Sequence, residues 1–256
     1  MPKPEIIILG INTATSRAEI ALLQIIAAKA GSEAKTGIKA KKLFAKSWQS
    51  NRDEAEKIMP VLAAALKVAA PKTVGAKGFR PVLNKIFVVS GPGSFTGLRI
   101  GVTVANTLAF LFNAPVVSIS TFDYLRAKIE KKYQKSTGLL LKAGGEFAVV
   151  QAPGSTKTQR LNFAELKPFF NKHKTIKFLV TDASPEDRKK YVLPGRLKWL
   201  PERNLRKFSD IMVEVIAKKH TSHKIIKPQY LLPPKITVSK KEIFTRATPS
   251  HAHTAR

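Results

Sequence analysis

The 256-residue chain contains no cysteine. Disulfides, thiolate nucleophiles and thiolate metal sites are therefore excluded, and a reducing cytoplasm is the expected location. No stretch approaches ~18 uninterrupted apolar residues, so no membrane span is expected. The start, Met1-Pro2-Lys3-Pro4-Glu5, lacks the basic and apolar regions of a signal peptide. Acid is scarce: 17 Asp and Glu stand against 45 Lys and Arg, for a net charge of +28. No carboxylate falls between Glu56 and Asp123, so that long segment offers no acid for metal or proton work. The five histidines all come late, at His173, His220, His223, His251 and His253. His220 and His223 read as a basic helix end, and His251 and His253 as part of a flexible tail. No specific metal site is expected.

The positive excess attracts polyanions and acidic partners at long range, and salt weakens that attraction. Two readings stand side by side, a polyanion or acidic partner surface and a general lysine bias. The cations are spread out: Lys39, Lys41, Lys42 and Lys46 surround an early turn, Lys128, Lys131, Lys132 and Lys135 end a helix, and Arg188, Lys189 and Lys190 lie in the second half. Few aromatics interleave with them, and no RRM, KH or zinc-knuckle pattern is present. A charge-driven RNA-binding protein would be limited to non-specific backbone contacts.

Hydrophobic residues make up 44% of the chain, enough for a substantial core. Ile6 to Leu9 reads as a central strand, Glu19 to Ile26 and Leu43 to Trp48 as a hairpin, and Arg52 to Val68 as an amphipathic helix that Pro60 should kink or break. A strand at Lys85–Val89, a helix at Gly97–Phe112 and a strand at Val116–Ile119 follow. Thr121 is expected to cap a helix from Phe122 to Tyr133. The second half repeats the pattern, with strands at Leu139–Leu141 and Phe147–Val150, a helix at Phe163–Phe170, a strand at Ile176–Val180 and a helix that Ser209 caps. The order is mixed α/β. We expect one subdomain over residues 1–120, a second over 121–232 and a basic, flexible tail over 233–256, in which Ile236-Thr237-Val238 could add a strand.

Between the fourth strand and its helix lies Ser90-Gly91-Pro92-Gly93-Ser94-Phe95-Thr96-Gly97-Leu98-Arg99. A glycine-rich turn entering a helix exposes backbone N–H groups at the positive end of the helix dipole, a cradle for phosphate. Gly91, Gly93 and Gly97 permit close approach of a ligand or of a second backbone. Ser94 or Thr96 would cap the helix. The sequence is neither a Walker A loop nor a dinucleotide fingerprint. Two readings remain open, an anion site and a tight turn whose glycines serve packing. Ser94 is not in a Gly-x-Ser-x-Gly context, which argues against a hydrolase.

The string Gly91 to Gly101 resembles the signature of the TsaB (YeaZ) family, subunits that help make threonylcarbamoyladenosine at position 37 of ANN-decoding tRNAs. Ile8-Leu9-Gly10-Ile11-Asn12-Thr13-Ala14-Thr15 is similar to that family's first strand and turn. Ile58-Met59-Pro60 and Lys227-Pro228-Gln229-Tyr230-Leu231 are similar to later elements. The resemblance implies two tandem actin-like (ribonuclease H-like) subdomains, each a mixed sheet with an antiparallel hairpin first and flanking helices.

It further implies a cleft lined by the first turn and the glycine-rich loop, with Asn12, Thr13, Gly91, Gly93, Ser94, Thr96, Gly97 and Arg99 as a phosphate- or nucleotide-like loop. The family usually has Asp where Asn12 stands, and Lys142-Ala143-Gly144-Gly145-Glu146 departs from an Asp-Ala-Arg type turn. Both departures weaken Mg-nucleotide binding, so ATP or ADP binding would be residual and no catalytic residue is expected. The implied partners are a TsaD homologue in a heterodimer, a TsaE homologue, and tRNA, held indirectly or through the basic surface. A homodimer through the same helices is an alternative. The expected partner interface comprises Glu54, Ile58, Leu62, Leu66, Val104, Leu108 and Leu111. Against a non-catalytic partner subunit stand a small actin-like ATPase or kinase and a charge-driven RNA-binding protein.

Overall fold

The computed structural model describes residues 6–27, 38–50, 53–69, 82–217 and 221–231. One element order occurs twice along the chain. In the first half, β1 (Ile6–Asn12), β2 (Arg17–Ala27) and β3 (Ile38–Gln49) precede α1 (Glu54–Val68), β4 (Lys85–Gly91), α2 (Phe95–Phe112), β5 (Val116–Ser120) and α3 (Thr121–Lys128). In the second, β6 (Thr137–Lys142), β7 (Phe147–Gln151) and β8 (Thr158–Asn162) precede α4 (Phe163–Lys172), β9 (Phe178–Thr181), α5 (Pro185–Arg188), β10 (Lys198–Trp199) and α6 (Phe208–Ala217). A short β11 (Ser222–His223) ends the described part.

The sheets run β11-β5-β4-β1-β2-β3 and β10-β9-β6-β7-β8. In each, the first three strands are antiparallel neighbours and the next two lie parallel on the other side of the first. This is the duplicated mixed α/β arrangement that the resemblance implies.

Burial explains the strand sequences. Ile7, Leu9 and Ile11 pack under α1 and α2, while Ile8 faces a second cluster built with α3 and α6. A strand covered on both faces needs apolar residues at consecutive positions, as in the run from Ile6. The α3–α6 cluster also takes in Leu139, Leu141, Val149 and Val180 from the second sheet, so one core joins the two halves. The outer face of the second sheet has its own cluster around Leu140, Leu166 and Phe170.

Several expectations need correction. Ser120, not Thr121, caps α3, its hydroxyl accepting from Asp123 N. That helix stops at Lys128, because Ile129 turns extended and bridges to Leu205. Ser209 lies inside α6 rather than capping it. Pro60 does not break α1. β3 begins at Ile38, which puts Lys39, Lys41 and Lys42 on an edge strand instead of a turn. The stretch 121–232 is not a self-contained subdomain either. β11 pairs with β5 of the first sheet, and Ile226 N donates to Asn106 Oδ1 on α2 at 3.1 Å. The expected tail 233–256 and its added strand lie outside the described residues.

The helix α2 is long and apolar enough to cross a membrane by length and composition. Its place is nevertheless over a sheet, with Gly97, Leu98, Gly101, Val102, Ala105, Leu108 and Ala109 buried, as in the core helix of a packed domain.

Candidate functional site

The glycine-rich loop leaves β4 and enters α2, and Ser94 is the cap of that helix, accepting from Gly97 N at 3.2 Å. The peptide bond between Gly91 and Pro92 is cis. Close packing accounts for the glycines. A Cβ on Gly93 would overlap the Ala14 carbonyl oxygen, and one on Gly97 would overlap that of Thr13. Ser94 N donates to Ala14 O at 2.9 Å, and Thr13 Oγ1 donates to Gly97 O at 2.6 Å. At Gly91 the Gln229 carbonyl occupies the space a side chain would need, and Gln229 N donates to Ser90 O at 2.7 Å. The first turn and the closing segment thus fill the concave side of the loop.

Asn12 and Thr13 are correspondingly unavailable as phosphate ligands. Both are fully buried. Asn12 Oδ1 accepts from Ala14 N at 3.1 Å, and its amide donates to Thr15 Oγ1 and Glu19 Oε2. An amide can do both at once, which holds the turn in shape; a carboxylate could not donate. Arg99 is also engaged elsewhere. Its guanidinium stacks 4.0 Å from the Phe95 ring centre, and its Nε donates to the Tyr230 hydroxyl. Phe95 and Tyr230 have ring centres 5.1 Å apart. Thr96 is exposed. Two of the stretches that carry the resemblance, Gly91–Gly101 and Lys227–Leu231, are therefore in contact with each other.

What remains open is a cleft of about 670 Å³ between the halves. Ser16, Glu54, Ser94 and Phe95 line one side, and Lys142, Asp182, Ser184, Glu186, Asp187 and Lys190 line the other. The halves touch across it where Ser16 N donates to Asp182 O at 3.0 Å. Lys142, in place of the expected acid, pairs with Asp187 at 2.8 Å while its backbone N donates to Asp182 Oδ1 at 3.0 Å. Burial raises Asp182 from 3.8 to about 7, against hydrogen bonds that favour its charged form. With four carboxyls and two ammoniums the cleft disfavours polyphosphate. Sequence reading missed the acidic wall at Asp182–Asp187; the only local signal is the Ser-Pro-Glu-Asp string, a helix-start pattern that opens α5.

The expected partner residues divide. Ile58, Leu62 and Leu108 are 2%, 3% and 6% exposed, all within the core under α1 and α2. Leu66 and Val104 are half-buried against the same core. Glu54 is buried and lines the cleft. These residues support the fold and do not present a docking surface, because inward positions on an amphipathic helix are spent on its own sheet. Leu111 is the exception at 66% exposed, joined by Met59 at 58% and Phe110 at 87%.

A family model described as TsaD, tRNA N6-adenosine threonylcarbamoyltransferase, matches residues 48–162. The chain is 51% identical over 45 residues to the tRNA threonylcarbamoyladenosine biosynthesis protein TsaB of Bacillus subtilis, covering 18% of this chain and 20% of that protein. It is 31% identical over 97 residues to the TsaB of Buchnera aphidicola subsp. Schizaphis graminum, covering 38% and 43%. A solved structure described as similar to the peptidase YeaZ from Pseudomonas aeruginosa aligns over 89% of this chain and 100% of its own, with a TM-score of 0.53 and 16% identity. Over these stretches the chain is similar to the TsaB/YeaZ proteins. It shares the overall fold of that solved structure, and its matches span less than half the length of the curated TsaB relatives.

Proposed function

We propose that this chain is a non-catalytic TsaB-like subunit that pairs with a TsaD homologue in the cytoplasm. Together they would transfer a threonylcarbamoyl group to adenosine 37 of ANN-decoding tRNAs. The transfer chemistry belongs to TsaD, and a TsaE homologue joins the pair. The observation that carries this reading is the closed loop: Thr13, Ala14 and Gln229 occupy the concave side that a nucleotide-using relative would leave to phosphate. ATP or ADP binding is at most weak on this reading.

The docking surface lies on the outer sides of α1 and α2. These helices pack side by side on one sheet, and Met59, Ala63, Thr103, Thr107, Phe110 and Leu111 are exposed on them. Small and apolar residues there suit a close helix-to-helix approach. The stretch matched by the TsaD description, 48–162, includes both helices, so a TsaD partner would offer a similarly shaped pair across a pseudo-twofold axis.

Mixing the purified chain with the TsaD homologue of its own organism, followed by size-exclusion chromatography with light scattering, tests this. A 1:1 complex that survives high salt is expected. Two separate species at both low and high salt would overturn the partner assignment.

A further inference from the structure

A second concavity, of about 450 Å³, lies on the opposite face of the first sheet from α1 and α2, between the β2–β3 hairpin and the segment leading into α6. Arg17, Lys42, Lys128, Arg203, Arg206 and Lys207 line it against two carboxylates, Glu19 and Glu202. Both carboxylates are committed. Buried Glu19 accepts from the Tyr124 hydroxyl and from Asn12, and pairs with Lys128 at 3.0 Å. Glu202 pairs with Arg17 at 3.0 Å. Arg206 is held by Glu214 at 2.5 Å. Lys42, Lys46, Arg203 and Lys207 are exposed, and none forms an ion pair among the described residues.

We infer that this groove binds the phosphodiester backbone of RNA. Four unpaired cations, Lys42 and Lys46 on β3 and Arg203 and Lys207 in the segment leading into α6, converge on it, while its own acids are neutralised from within. An anionic chain laid there would meet attraction without a compensating repulsion. The Arg203 fork and the Ser47 hydroxyl are suited to phosphate oxygens. The same face does not suit an acidic protein as well. None of the exposed large apolar residues lines the groove, so it lacks the anchors that hold protein interfaces. Nor does it present an exposed aromatic ring for stacking bases, so recognition is of the backbone and not of sequence. The groove is separate from the α1–α2 surface and stands or falls independently of TsaD.

The test uses the full chain without TsaD. Binding of a fluorescently labelled tRNA transcript is followed by anisotropy over a series of salt concentrations. The triple variant Lys42→Gln, Arg203→Gln, Lys207→Gln is compared with a control of equal charge change on the outer face of the second half, Lys167→Gln, Lys172→Gln, Lys174→Gln, both confirmed folded by circular dichroism. The groove variant should bind at least ~10-fold more weakly, and its plot of log K against log salt should be shallower by about 2, for three lost phosphate contacts. The control should change little. Equal weakening by both variants would reduce the effect to the overall charge and overturn the site. Unchanged RNA binding with lost binding of a labelled poly-glutamate peptide would overturn it in favour of an acidic protein partner.

Discussion

Thr13 and Gly97 clasp each other: the Thr13 hydroxyl donates to the Gly97 carbonyl at 2.6 Å, and the Thr13 carbonyl sits where a Gly97 side chain would be. The two residues are joined through a turn and a helix start that the resemblance assigns to one site, and here they bind one another. Gly97→Ala should therefore destabilise the fold by about 3 kcal/mol, since overpacking against backbone cannot be relieved by a rotamer change. Thr13→Val, which removes the hydroxyl's hydrogen bond to the Gly97 carbonyl, should cost about 0.5–1.5 kcal/mol. Urea denaturation measures both.

The buried pair Glu19 and Lys128 supports the floor of the basic groove, with side chains 8% and 11% exposed. Lys128→Met should destabilise by about 3 kcal/mol, because it strands a buried carboxylate. Adding Glu19→Gln should recover part of that loss, and a double-mutant cycle by denaturation gives the coupling.

Asp182 carries a pH signature. Its carboxyl is raised from 3.8 to about 7 in the folded state by burial, so the folded state holds a proton that the unfolded chain releases. That contribution is complete below about 4, is lost as pH rises towards 7, and stays lost above. Asp182→Asn should flatten this decline, by up to roughly 4 kcal/mol between pH 4 and 8 relative to the parent chain. Denaturation midpoints at both pH values test it; parallel profiles would contradict it.

Met59→Asp and Leu111→Asp should leave stability within about 0.5 kcal/mol, as exposed positions do, while breaking the complex with TsaD. Leu62→Asp should instead unfold the chain, since Leu62 is in the core.

Much of the architecture was legible. The apolar run at Ile6, the hairpin after it and the repeat of strands before helices in the second half all point to a duplicated mixed α/β fold. Inward and outward helix positions were harder. α2 is apolar nearly all round, so its sequence does not mark Leu108 as core and Leu111 as surface; only the sheet beneath decides. The loop showed the same limit. Glycines at 91, 93 and 97 announce a close approach, but whether phosphate or backbone approaches depends on Thr13 and Gln229, which are far away in sequence. The acidic wall at Asp182–Asp187 and the convergence of Lys42 with Arg203 and Lys207 are likewise products of tertiary folding.

The most direct test of the central claim is reconstitution of the modification. The TsaD homologue, unmodified ANN-decoding tRNA and threonylcarbamoyl-AMP are combined with and without this chain, and threonylcarbamoyladenosine is measured in the digested tRNA. The account predicts product only when both proteins are present, and none from this chain by itself. Equal product from TsaD with or without the chain would contradict it.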